Sequence, residues 1–350
     1  MKNYMPRVML VTGGAGFIGS HFVRYVLKNY PDVKVINLDA LTYAGSMKNL
    51  TDLPNVEQHF FVKGNIKDRA LIDNLLQKHR IDTIVHFAAE SHVDRSILGP
   101  SEFVETNIIG TFTLLESARH YWQHAYNLDP LQCRFHHIST DEVYGTLTND
   151  DPPFLETTPY SPNSPYSASK AGSDHLVNAY FETYKLPVTL TNCSNNYGPF
   201  QHQEKFMPTV IRSCVNGQKI PIYGNGQNRR DWLYVEDHCS GIDTVISQGK
   251  LGQKYNIGGQ CELENIDIAQ RICRIMNELL PKSVPYESLI SYVTDRAGHD
   301  WRYAININKI SSELGWTPHT NFEEGLSKTI AWYLNADTTL LKRETMVESE

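Results

Sequence analysis

The sequence predicts an α/β fold: a Rossmann-type doubly wound parallel sheet with a smaller, mixed α/β substrate domain toward the carboxyl terminus. Three observations predict it. From residue 7, short β-branched runs alternate with longer helical patterns, which is typical of successive βαβ units. The first predicted strand runs directly into a glycine-rich turn. Beyond residue 191, proline and glycine divide the chain into shorter pieces.

The composition limits the class of protein. The chain has 350 residues, of which 41% are apolar and 20% charged, so it has enough material for a sizeable core and is neither disordered nor fibrous. The 39 acidic and 32 basic residues give a net charge of −7, which does not favour nucleic acid or an anionic membrane as a partner. The six cysteines are widely spaced and form no metal-binding pattern. No apolar run approaches the ~20 residues of a membrane helix. We expect a cytoplasmic protein without a metal.

The elements of the first domain follow in order. A helical pattern over residues 103–118 separates the fourth and fifth of six predicted strands, and another begins at Tyr166 and continues to Tyr184. The strands are predicted at residues 8–11, 33–38, 60–63, 83–87, 135–139 and 188–191.

The domain limits follow from the change in pattern. We predict a dinucleotide-binding domain over residues 1–191, with a return segment near 233–258, where a helix is followed by the strand-like run Tyr255-Asn256-Ile257. A nucleotide-sugar-binding domain is predicted over 192–334, interleaved with the first. The charged end, 335–350, is predicted to be a solvated tail.

The first strand ends in a motif for a dinucleotide. Gly14, Gly16 and Gly19 form G-x-G-x-x-G where a helix begins, so backbone N–H groups and the helix dipole can face a pyrophosphate. Asp39 lies 20 residues after the last glycine, where an acid accepts hydrogen bonds from the adenosine ribose. A carboxylate there repels a 2′-phosphate, which favours NAD over NADP. The alternative is a glycine turn without a ligand.

Tyr166 and Lys170 stand four residues apart, so on a helix they share one face. A neighbouring ammonium and a positively charged nicotinamide ring would stabilise the phenolate, which could then take a proton from a substrate alcohol. Taken alone, the same spacing also describes an ordinary exposed helix face.

A hydroxyl and two acids follow the fifth strand: Thr140, Asp141 and Glu142. Simple alcohol oxidation does not need two further carboxyl groups, whereas elimination of water does. Oxidation to a ketone acidifies the neighbouring C–H, so a carboxylate can remove that proton while a carboxylic acid protonates the leaving hydroxyl. The alternative is that the acids cap a helix or form solvated ion pairs.

These motifs resemble the extended short-chain dehydrogenase/reductases and, within them, the nucleotide-sugar dehydratases. The resemblance covers nearly the whole chain, and the Thr-Asp-Glu triplet separates it from related epimerases and decarboxylases. It also rests on residues 86–96, 192–199, 221–224 and 255–259, and on 295–300.

The resemblance implies a hydro-lyase that converts dTDP-glucose to dTDP-4-keto-6-deoxyglucose and water, a step toward dTDP-rhamnose and related deoxysugars. C4 is oxidised, water is eliminated across C5 and C6, and the hydride returns to C6, so NAD is regenerated in each turnover. It further implies a homodimer formed through the helices predicted at 103–118 and 166–184; the alternative is that the apolar residues of these helices pack against the sheet.

The resemblance also assigns roles to five residues. Tyr166 is the base for sugar O4, Thr140 steadies it, and Lys170 binds the nicotinamide ribose. Asp141 protonates the departing C6 hydroxyl and Glu142 removes the C5 proton.

Two binding sets complete the implied site. The cofactor set is Gly13, Gly16, Phe17, Ile18, Gly19, Asp39, Thr42, Asn65, Ile66, Ala88, Ala89, Thr106, Tyr166, Lys170 and Asn195. The substrate set is Ser91, His92, Val93, Thr140, Asn195, Glu204, Lys205, Phe206, Pro221, Tyr223, Arg230, Asn265, Arg296 and His299.

Three positions depart from the family pattern. Asn65 replaces an aspartate that meets the adenine amino group, Trp301 replaces a frequent arginine, and Ala297 replaces a proline. Two other functions stay open: a C4 epimerase, which would not need the two acids, and a non-catalytic nucleotide-sugar or NAD sensor. The choice between dTDP and UDP as the carrier is open as well.

Overall fold

The structure, a computed structural model, describes residues 3–295 and 298–335. Its strands are β1 (Val8–Thr12), β2 (Lys34–Asp39), β3 (His59–Lys63), β4 (Thr83–His86), β5 (Arg134–Thr140), β6 (Val188–Cys193), β7 (Asn195–Tyr197), β8 (Ile220–Tyr223), β9 (Arg229–Tyr234), β10 (Lys254–Ile257), β11 (Glu262–Glu264) and β12 (Ile290–Val293).

The helices flank these strands. They are α1 (Phe17–Asn29), α2 (Arg69–His79), α3 (Val93–Leu98), α4 (Ser101–Phe103), α5 (Thr111–Arg119), α6 (Pro165–Tyr184), α7 (Phe206–Asn216), α8 (Val235–Gln248), α9 (Asn265–Leu279), α10 (Asn308–Leu314) and α11 (Phe322–Asn335). Five short 3₁₀ turns lie at Met47–Leu50, Val56–Gln58, Pro130–Gln132, Asp141–Tyr144 and Tyr286–Leu289.

Seven strands form one parallel sheet in the order β10-β6-β5-β4-β1-β2-β3. The order reverses beside β1, which pairs with β2 on one side and β4 on the other. Parallel pairing and this reversal confirm the predicted doubly wound fold, and they place the ligand crevice at the carboxyl ends of the strands. Each predicted strand is present, with ends that differ by one or two residues.

The helix predicted at 103–118 is longer than expected. Helical structure is continuous from residue 101 to residue 125, and it contains two π-helical segments, Val104–Gly110 and His120–Ala125. The apolar period of the sequence marks the buried face of a helix but does not show where one additional residue widens a turn. Sequence reasoning therefore found the element and missed its irregular turns.

Apolar side chains cover both faces of the large sheet. On one face, Phe22 and Val26 of α1 pack in one buried cluster with Ile242 of α8. On the other face, Leu114 of α5 packs in a cluster with Trp122, whose indole N–H donates to the Ile81 carbonyl at 2.9 Å. The sheet is thus buried on both sides, which explains why its strands read as nearly continuous apolar runs.

A second lobe, made of β7–β9, β11, β12, α7, α9 and α11, packs beside the carboxyl ends of the large sheet. Its sheets are β11-β9-β7, where β9 pairs antiparallel with β11 and parallel with β7, and the parallel pair β12-β8. It has its own apolar core, to which Ile211, Trp232 and Ile272 belong. The prediction of a smaller second domain with mixed α/β structure is confirmed.

The chain moves between the large sheet and the second lobe several times. After β9, α8 packs on α1 and β10 pairs with β6. After β12, residues 303–317 return to the large sheet a second time, where Ile307, Ile310 and Trp316 join its core. The sequence indicated only the first of these returns.

The domain limits stay a prediction. Asn335, where the tail was predicted to begin, is the last residue of α11, and residues 336–350 lie outside the described part of the chain. Within residues 3–295 and 298–335, no helix combines the length and the apolar character needed to cross a membrane.

Candidate active site

The glycine turn between β1 and α1 has the close packing that its sequence predicts. The N–H of Gly13 donates to the Leu38 carbonyl at 2.8 Å, and Gly13 has φ +72°. A Cβ on Gly19 would lie 2.2 Å from the Gly13 carbonyl oxygen, so only glycine fits there. Gly16 precedes α1 and no side chain caps the helix, so the first N–H groups of α1 face an open crevice.

Asp39 ends β2 beside this turn. Its carboxylate is buried and accepts hydrogen bonds from the N–H groups of Ala15 at 2.9 Å and Leu41 at 2.7 Å. These two bonds fix the carboxylate at the carboxyl end of the strand and leave it further acceptor capacity. An acid held in this way fits a ribose diol.

A cavity of about 330 Å³ extends from this turn across the carboxyl ends of β1, β2, β4, β5 and β6. All the residues of the predicted cofactor set line it. So do the five predicted catalytic residues, together with Ser91, Asn195 and Lys205 from the substrate set. The structure thus brings the glycine turn, the Tyr–Lys pair and the two acids into one cavity.

Asn65, the first departure from the family pattern, lies at the adenosine end of this cavity. Its side-chain oxygen accepts a hydrogen bond from the Lys67 N–H at 2.9 Å, which orients the amide. A carbonyl oxygen has two lone pairs, so this oxygen can accept one further hydrogen bond. In the described part of the chain, no group of three or more His, Cys, Asp or Glu side chains is placed to hold a metal ion.

The acid pair follows β5 in a single 3₁₀ turn, Asp141–Tyr144. Thr140 caps this turn, because its hydroxyl accepts from the Glu142 N–H at 3.3 Å. The Thr140 carbonyl accepts from the Asn192 side chain at 3.0 Å, which ties the end of β5 to β6. The turn directs both carboxyl groups into the cavity.

The Asp141 carboxyl is only 2% exposed. Burial raises its pKa well above the ordinary value, and the nearby carboxylates of Glu142 and Asp231 raise it further. Arg230 and the Thr140 hydroxyl oppose this effect without cancelling it. Asp141 Oδ2 is buried and has no hydrogen-bond partner within the described residues. The raised pKa favours the carboxylic acid over the carboxylate at this position, and one carboxyl oxygen remains available to a ligand.

Tyr166 stands in the first turn of α6. The helix begins there because Ser164 and Ser167 form a capping box and Pro165 occupies the first helical position. The Tyr166 side chain is buried, and the Thr140 hydroxyl at the end of β5 acts to lower the pKa of its phenol. One local sequence signal, Ser-Pro-Tyr-Ser, thus places the phenol against the end of β5.

The pKa of the Tyr166 phenol does not shift in the direction that its spacing from Lys170 predicts. Burial raises the pKa of the phenol well above its ordinary value, and the Glu142 carboxylate adds to this, while the Thr140 hydroxyl opposes it. Lys170 directs its ammonium group at the Ile138 carbonyl, 2.8 Å away. Among the chain's own groups, therefore, the charge of Lys170 does not overcome the effect of burial, and the pKa of the Tyr166 phenol stays raised.

Lys170 is buried as well, and burial lowers the pKa of its ammonium group. Asp174, one helical turn further on, opposes that shift. The Asp174 carboxylate accepts from Ser139 Oγ at 2.7 Å and from the Tyr160 hydroxyl at 2.9 Å, and it lies 3.1 Å from His137 Nε2. Sequence reasoning did not select Asp174, although its spacing after Lys170 is the signal that would have found it.

Asp231 in β9 was not selected either. Its buried carboxylate accepts from the N–H groups of Gly259 at 3.1 Å and Cys261 at 2.7 Å. Burial nevertheless raises its pKa to about 6. Asp231 lies near Asp141 only because the second lobe packs beside the end of β5. No local sequence pattern therefore predicts that these two acids are neighbours.

The remaining substrate candidates lie in two places outside the cavity lining. At its mouth, His92 and Val93 begin α3, and His92 Nε2 lies 3.5 Å from Glu204 Oε2. Phe206 begins α7 and packs beside Trp232.

The second place surrounds the turn between β8 and β9. Pro221 and Tyr223 belong to β8, and the edge of the Tyr223 ring meets His299, with the ring centres 6.2 Å apart. Asn265 begins α9 and bonds to the Asn228 carbonyl at 3.0 Å. Arg230 connects this group to the cavity, because its charge acts on Asp141 while its guanidinium donates to the Asp300 carbonyl at 2.9 Å.

Two other positions of interest, Arg296 and Ala297, lie outside the described residues. Trp301 is described: its indole N–H donates to the Asn149 side chain at 2.9 Å, and its backbone N–H donates to Thr146 Oγ1 at 2.8 Å. The tryptophan therefore fastens the loop after residue 298 to the segment that follows the acid pair.

Comparisons with known proteins agree with this geometry. A family model described as GDP-mannose 4,6 dehydratase matches residues 10–329. The dTDP-glucose 4,6-dehydratase of Shigella flexneri is 52% identical over 334 residues, covering 93% of this chain and 92% of the relative. A dTDP-glucose 4,6-dehydratase from Bacillus anthracis, solved in complex with NAD, is 44% identical with a TM-score of 0.84, over 96% of this chain and 99% of that one. A UDP-glucose 4-epimerase from Thermotoga maritima, solved with UDP-glucose, is 27% identical with a TM-score of 0.81, over 93% of this chain and 98% of that one.

Proposed function

The chain belongs to the GDP-mannose 4,6-dehydratase family, among the dTDP-glucose 4,6-dehydratases, and from this premise we propose how its residues carry out the reaction. The chain is an NAD-dependent hydro-lyase that converts dTDP-glucose to dTDP-4-keto-6-deoxyglucose and water. It supplies a 4-keto-6-deoxy sugar nucleotide for deoxysugar biosynthesis.

The cavity fits NAD. A Cβ at Gly13 would lie 2.6 Å from the Ala88 N, so the turn allows close backbone approach only with glycine. The uncapped first turn of α1 suits the pyrophosphate, Asp39 suits the adenosine ribose, and Lys170 suits the nicotinamide ribose. When bound, NAD supplies the acceptor that takes hydride from sugar C4 and gives it back at C6.

The chain's own residues move the protons. Tyr166, as phenolate, takes the proton of the O4 hydroxyl; burial opposes that ionised form, and the positive charge of a bound nicotinamide, together with the Lys170 ammonium, would stabilise it. Glu142 removes the proton at C5, which the C4 ketone has acidified. Asp141 gives its proton to the C6 hydroxyl as water leaves.

The single observation that carries this assignment is the buried Asp141 carboxyl, whose Oδ2 has no hydrogen-bond partner within the described residues, beside Glu142 in the same cavity as Tyr166. A C4 epimerase removes and returns hydrogen at one carbon and has no use for a carboxylic acid held ready to protonate a leaving group. A sensor without catalysis has no use for it either. The two acids therefore favour the dehydratase over both alternatives.

The decisive experiment uses dTDP-glucose deuterated at C4. The purified chain should yield a product lighter by one water, with the deuterium in the C6 methyl group. Asp141→Asn and Glu142→Gln should each lower the dehydration rate by about 100-fold or more. A product of unchanged mass, or deuterium that remains at C4, would overturn the proposal.

The nucleotide carrier is tested in the same assay with dTDP-glucose and UDP-glucose side by side. We propose dTDP, as in the named relatives. The residues around the turn between β8 and β9, above all Tyr223 and His299, are the proposed contacts of the base and diphosphate. Tyr223→Ala should therefore raise KM more than it lowers kcat.

We also propose a homodimer. The outer face of the 101–125 helical stretch exposes Val104 (45%), Ile109 (42%) and Phe112 (44%), and the neighbouring face of α6 presents the small side chain of Ala168. Exposed apolar side chains on packed neighbouring helices favour a protein contact. Light scattering should give twice the chain mass, and Phe112→Asp should give a monomer. A monomeric native chain would refute this part.

A cytoplasmic location completes the proposal. All six cysteines lie in the described part of the chain and are free thiols, five of them buried, which suits a reducing compartment.

A further inference from the structure

The loop after residue 298 is fastened to the start of α6 through one buried acid, Asp300. Asp300 is 8% exposed, and its Oδ1 accepts a hydrogen bond from the Asn163 side-chain amide at 2.7 Å. Its Oδ2 accepts a hydrogen bond from the Tyr303 hydroxyl. Asn163 lies 137 positions earlier in the chain than Asp300, so the first of these contacts ties two distant segments together.

Asn163 stands at the entry to α6. Ser164, the next residue, caps the helix, and Tyr166 lies in its first turn. Two residues before Asn163, the N–H of Ser161 donates to the Val143 carbonyl at 3.0 Å, within the 3₁₀ turn of the acid pair. The segment that leads into the helix is therefore held by the acid turn on one side and by the buried carboxylate on the other.

The backbone of Asp300 serves a different part of the site. Its carbonyl accepts from Arg230 Nη2 at 2.9 Å and from the Asn228 side-chain amide at 3.2 Å. The Tyr303 ring lies against the Arg230 guanidinium, whose central carbon is 4.3 Å from the ring centre. The backbone carbonyl therefore holds a proposed substrate contact, whereas the carboxylate holds the segment that carries Tyr166.

On the proposed function, we propose that Asp300 is a positioning residue that acts through Asn163 to hold the Tyr166 phenol where it meets the O4 hydroxyl of the sugar. Asp300 and Asn163 are not among the residues that line the cavity, so they act on the reaction only through the residues that they place. Proton transfer needs the phenol within hydrogen-bond distance of O4. A displacement of about 1 Å that starts far from the reacting atoms can lower a rate about 100-fold.

The chemistry of the acid suits this role. A carboxylate forms shorter and stronger hydrogen bonds than a neutral acceptor does, and the 2.7 Å contact with the Asn163 amide is short. The carboxylate also offers a separate oxygen to each of its two donors. One side chain thus fixes the entry to α6 and the Tyr303 ring at the same time.

The test measures kcat and KM for dTDP-glucose, with kcat expressed per folded chain from circular dichroism. Equilibrium binding of dTDP alone is the separate readout of the nucleotide contacts. Asn163→Ala removes the donor at an exposed position, so the fold should be kept. We expect this variant to lower kcat about tenfold and to change the dissociation constant of dTDP by less than about twofold, because the backbone contact of Arg230 stays in place.

A charge exchange tests the route from Asp300 to Asn163. Asn163→Asp places two carboxylates against each other, so kcat should fall about tenfold or more. Adding Asp300→Asn should return kcat to within about threefold of wild type, because the amide at position 300 then donates to the new carboxylate and still accepts from Tyr303. Asp300→Asn alone should lower kcat by only about threefold, since the exposed Asn163 amide can rotate and present its oxygen. As the control, Asn74→Asp adds the same charge at an exposed position of α2 and should leave kcat unchanged.

The outcomes separate positioning from simpler roles. If Asn163→Ala loses stability but keeps the wild-type kcat per folded chain, the contact is only structural and the proposal is wrong. If Asn163→Asp stays equally slow when Asp300→Asn is added, Asp300 does not act through Asn163, and the proposal is again wrong. If dTDP binding weakens by as much as kcat falls, the loop shapes the nucleotide site instead, which also contradicts it. A wild type that releases no dehydrated product would mean that the proposed function itself has failed.

Discussion

The buried carboxylate of Asp231 should make the stability of this protein depend on pH in a defined direction. Burial raises the pKa of Asp231 from 3.8 to about 6, while the N–H groups of Cys261 and Gly259 oppose the shift. The folded state therefore holds this proton more tightly than the unfolded chain. The stabilisation due to this group is fully present below the unfolded pKa and is lost as the pH rises through 6.

The magnitude follows from the shift. A difference of about 2 pKa units at 1.36 kcal/mol per unit corresponds to about 3 kcal/mol of unfolding free energy. About half of this stabilisation is lost between pH 5 and pH 8.

Asp231→Asn removes the titration. An asparagine cannot accept both backbone N–H bonds, so the variant also loses about 1–3 kcal/mol independently of pH. The wild-type advantage over the variant should therefore shrink as the pH rises from 5 to 8.

The assay is urea unfolding followed by tryptophan fluorescence at four pH values, with Asp32→Asn, an exposed carboxylate, as the control. We expect the difference between wild type and Asp231→Asn to fall by roughly 1 kcal/mol over this range, and the control difference to stay constant. A difference that stays constant, or grows with pH, would refute the argument that burial controls Asp231.

Three further predictions follow from the geometry. Gly19→Ala places a Cβ 2.2 Å from a backbone oxygen of the glycine turn, so NAD affinity measured by fluorescence titration should fall about tenfold or more. Asp174→Asn removes the carboxylate that raises the pKa of Lys170, so the alkaline limb of a kcat–pH profile should move to lower pH and kcat at pH 8 should fall about tenfold. Arg302→Lys loses the paired contacts to Glu262 at 2.7 and 2.9 Å, and the unfolding free energy should fall by about 2 kcal/mol in urea titrations.

Each of these has a matched control in the chain. Gly99→Ala adds a Cβ that meets only one backbone oxygen, at 4.0 Å, and should leave NAD binding unchanged. Tyr160→Phe removes one hydrogen bond to Asp174 but keeps its charge, so the kcat–pH profile should move less. Arg274→Lys changes an exposed arginine and should not alter stability. Equal effects in a variant and its control would contradict the corresponding structural reason.

The cofactor half of the site could be predicted from the sequence because its signals are local. The glycines, Asp39 and the Tyr166–Lys170 pair each depend on spacing within one βα unit or one helix, and regular geometry converts such spacing into position. The six strands of the first domain were predictable for the same reason.

The substrate half depends on tertiary structure. Asp231 acts on Asp141 from another lobe, and Tyr223 meets His299, which lies 76 positions further along the chain, so neither contact has a local signal. The resemblance to a known family identified Tyr223 and His299 as substrate candidates. The spacing of residues along the sequence could not identify them. Asp174 differs from these residues because it does have a local signal. Its position one helical turn after Lys170 predicts that the two side chains are neighbours, although the sequence analysis did not select it.

The threading of the chain through both lobes limits how this protein can be rebuilt. Residues 235–257 and 303–317 pack on or pair with the large sheet although they lie between segments of the second lobe. The second lobe could therefore not be exchanged for that of a related protein at a single splice point. Several junctions would have to match at once, and for the same reason a protease cut at any one loop would not release an independent half.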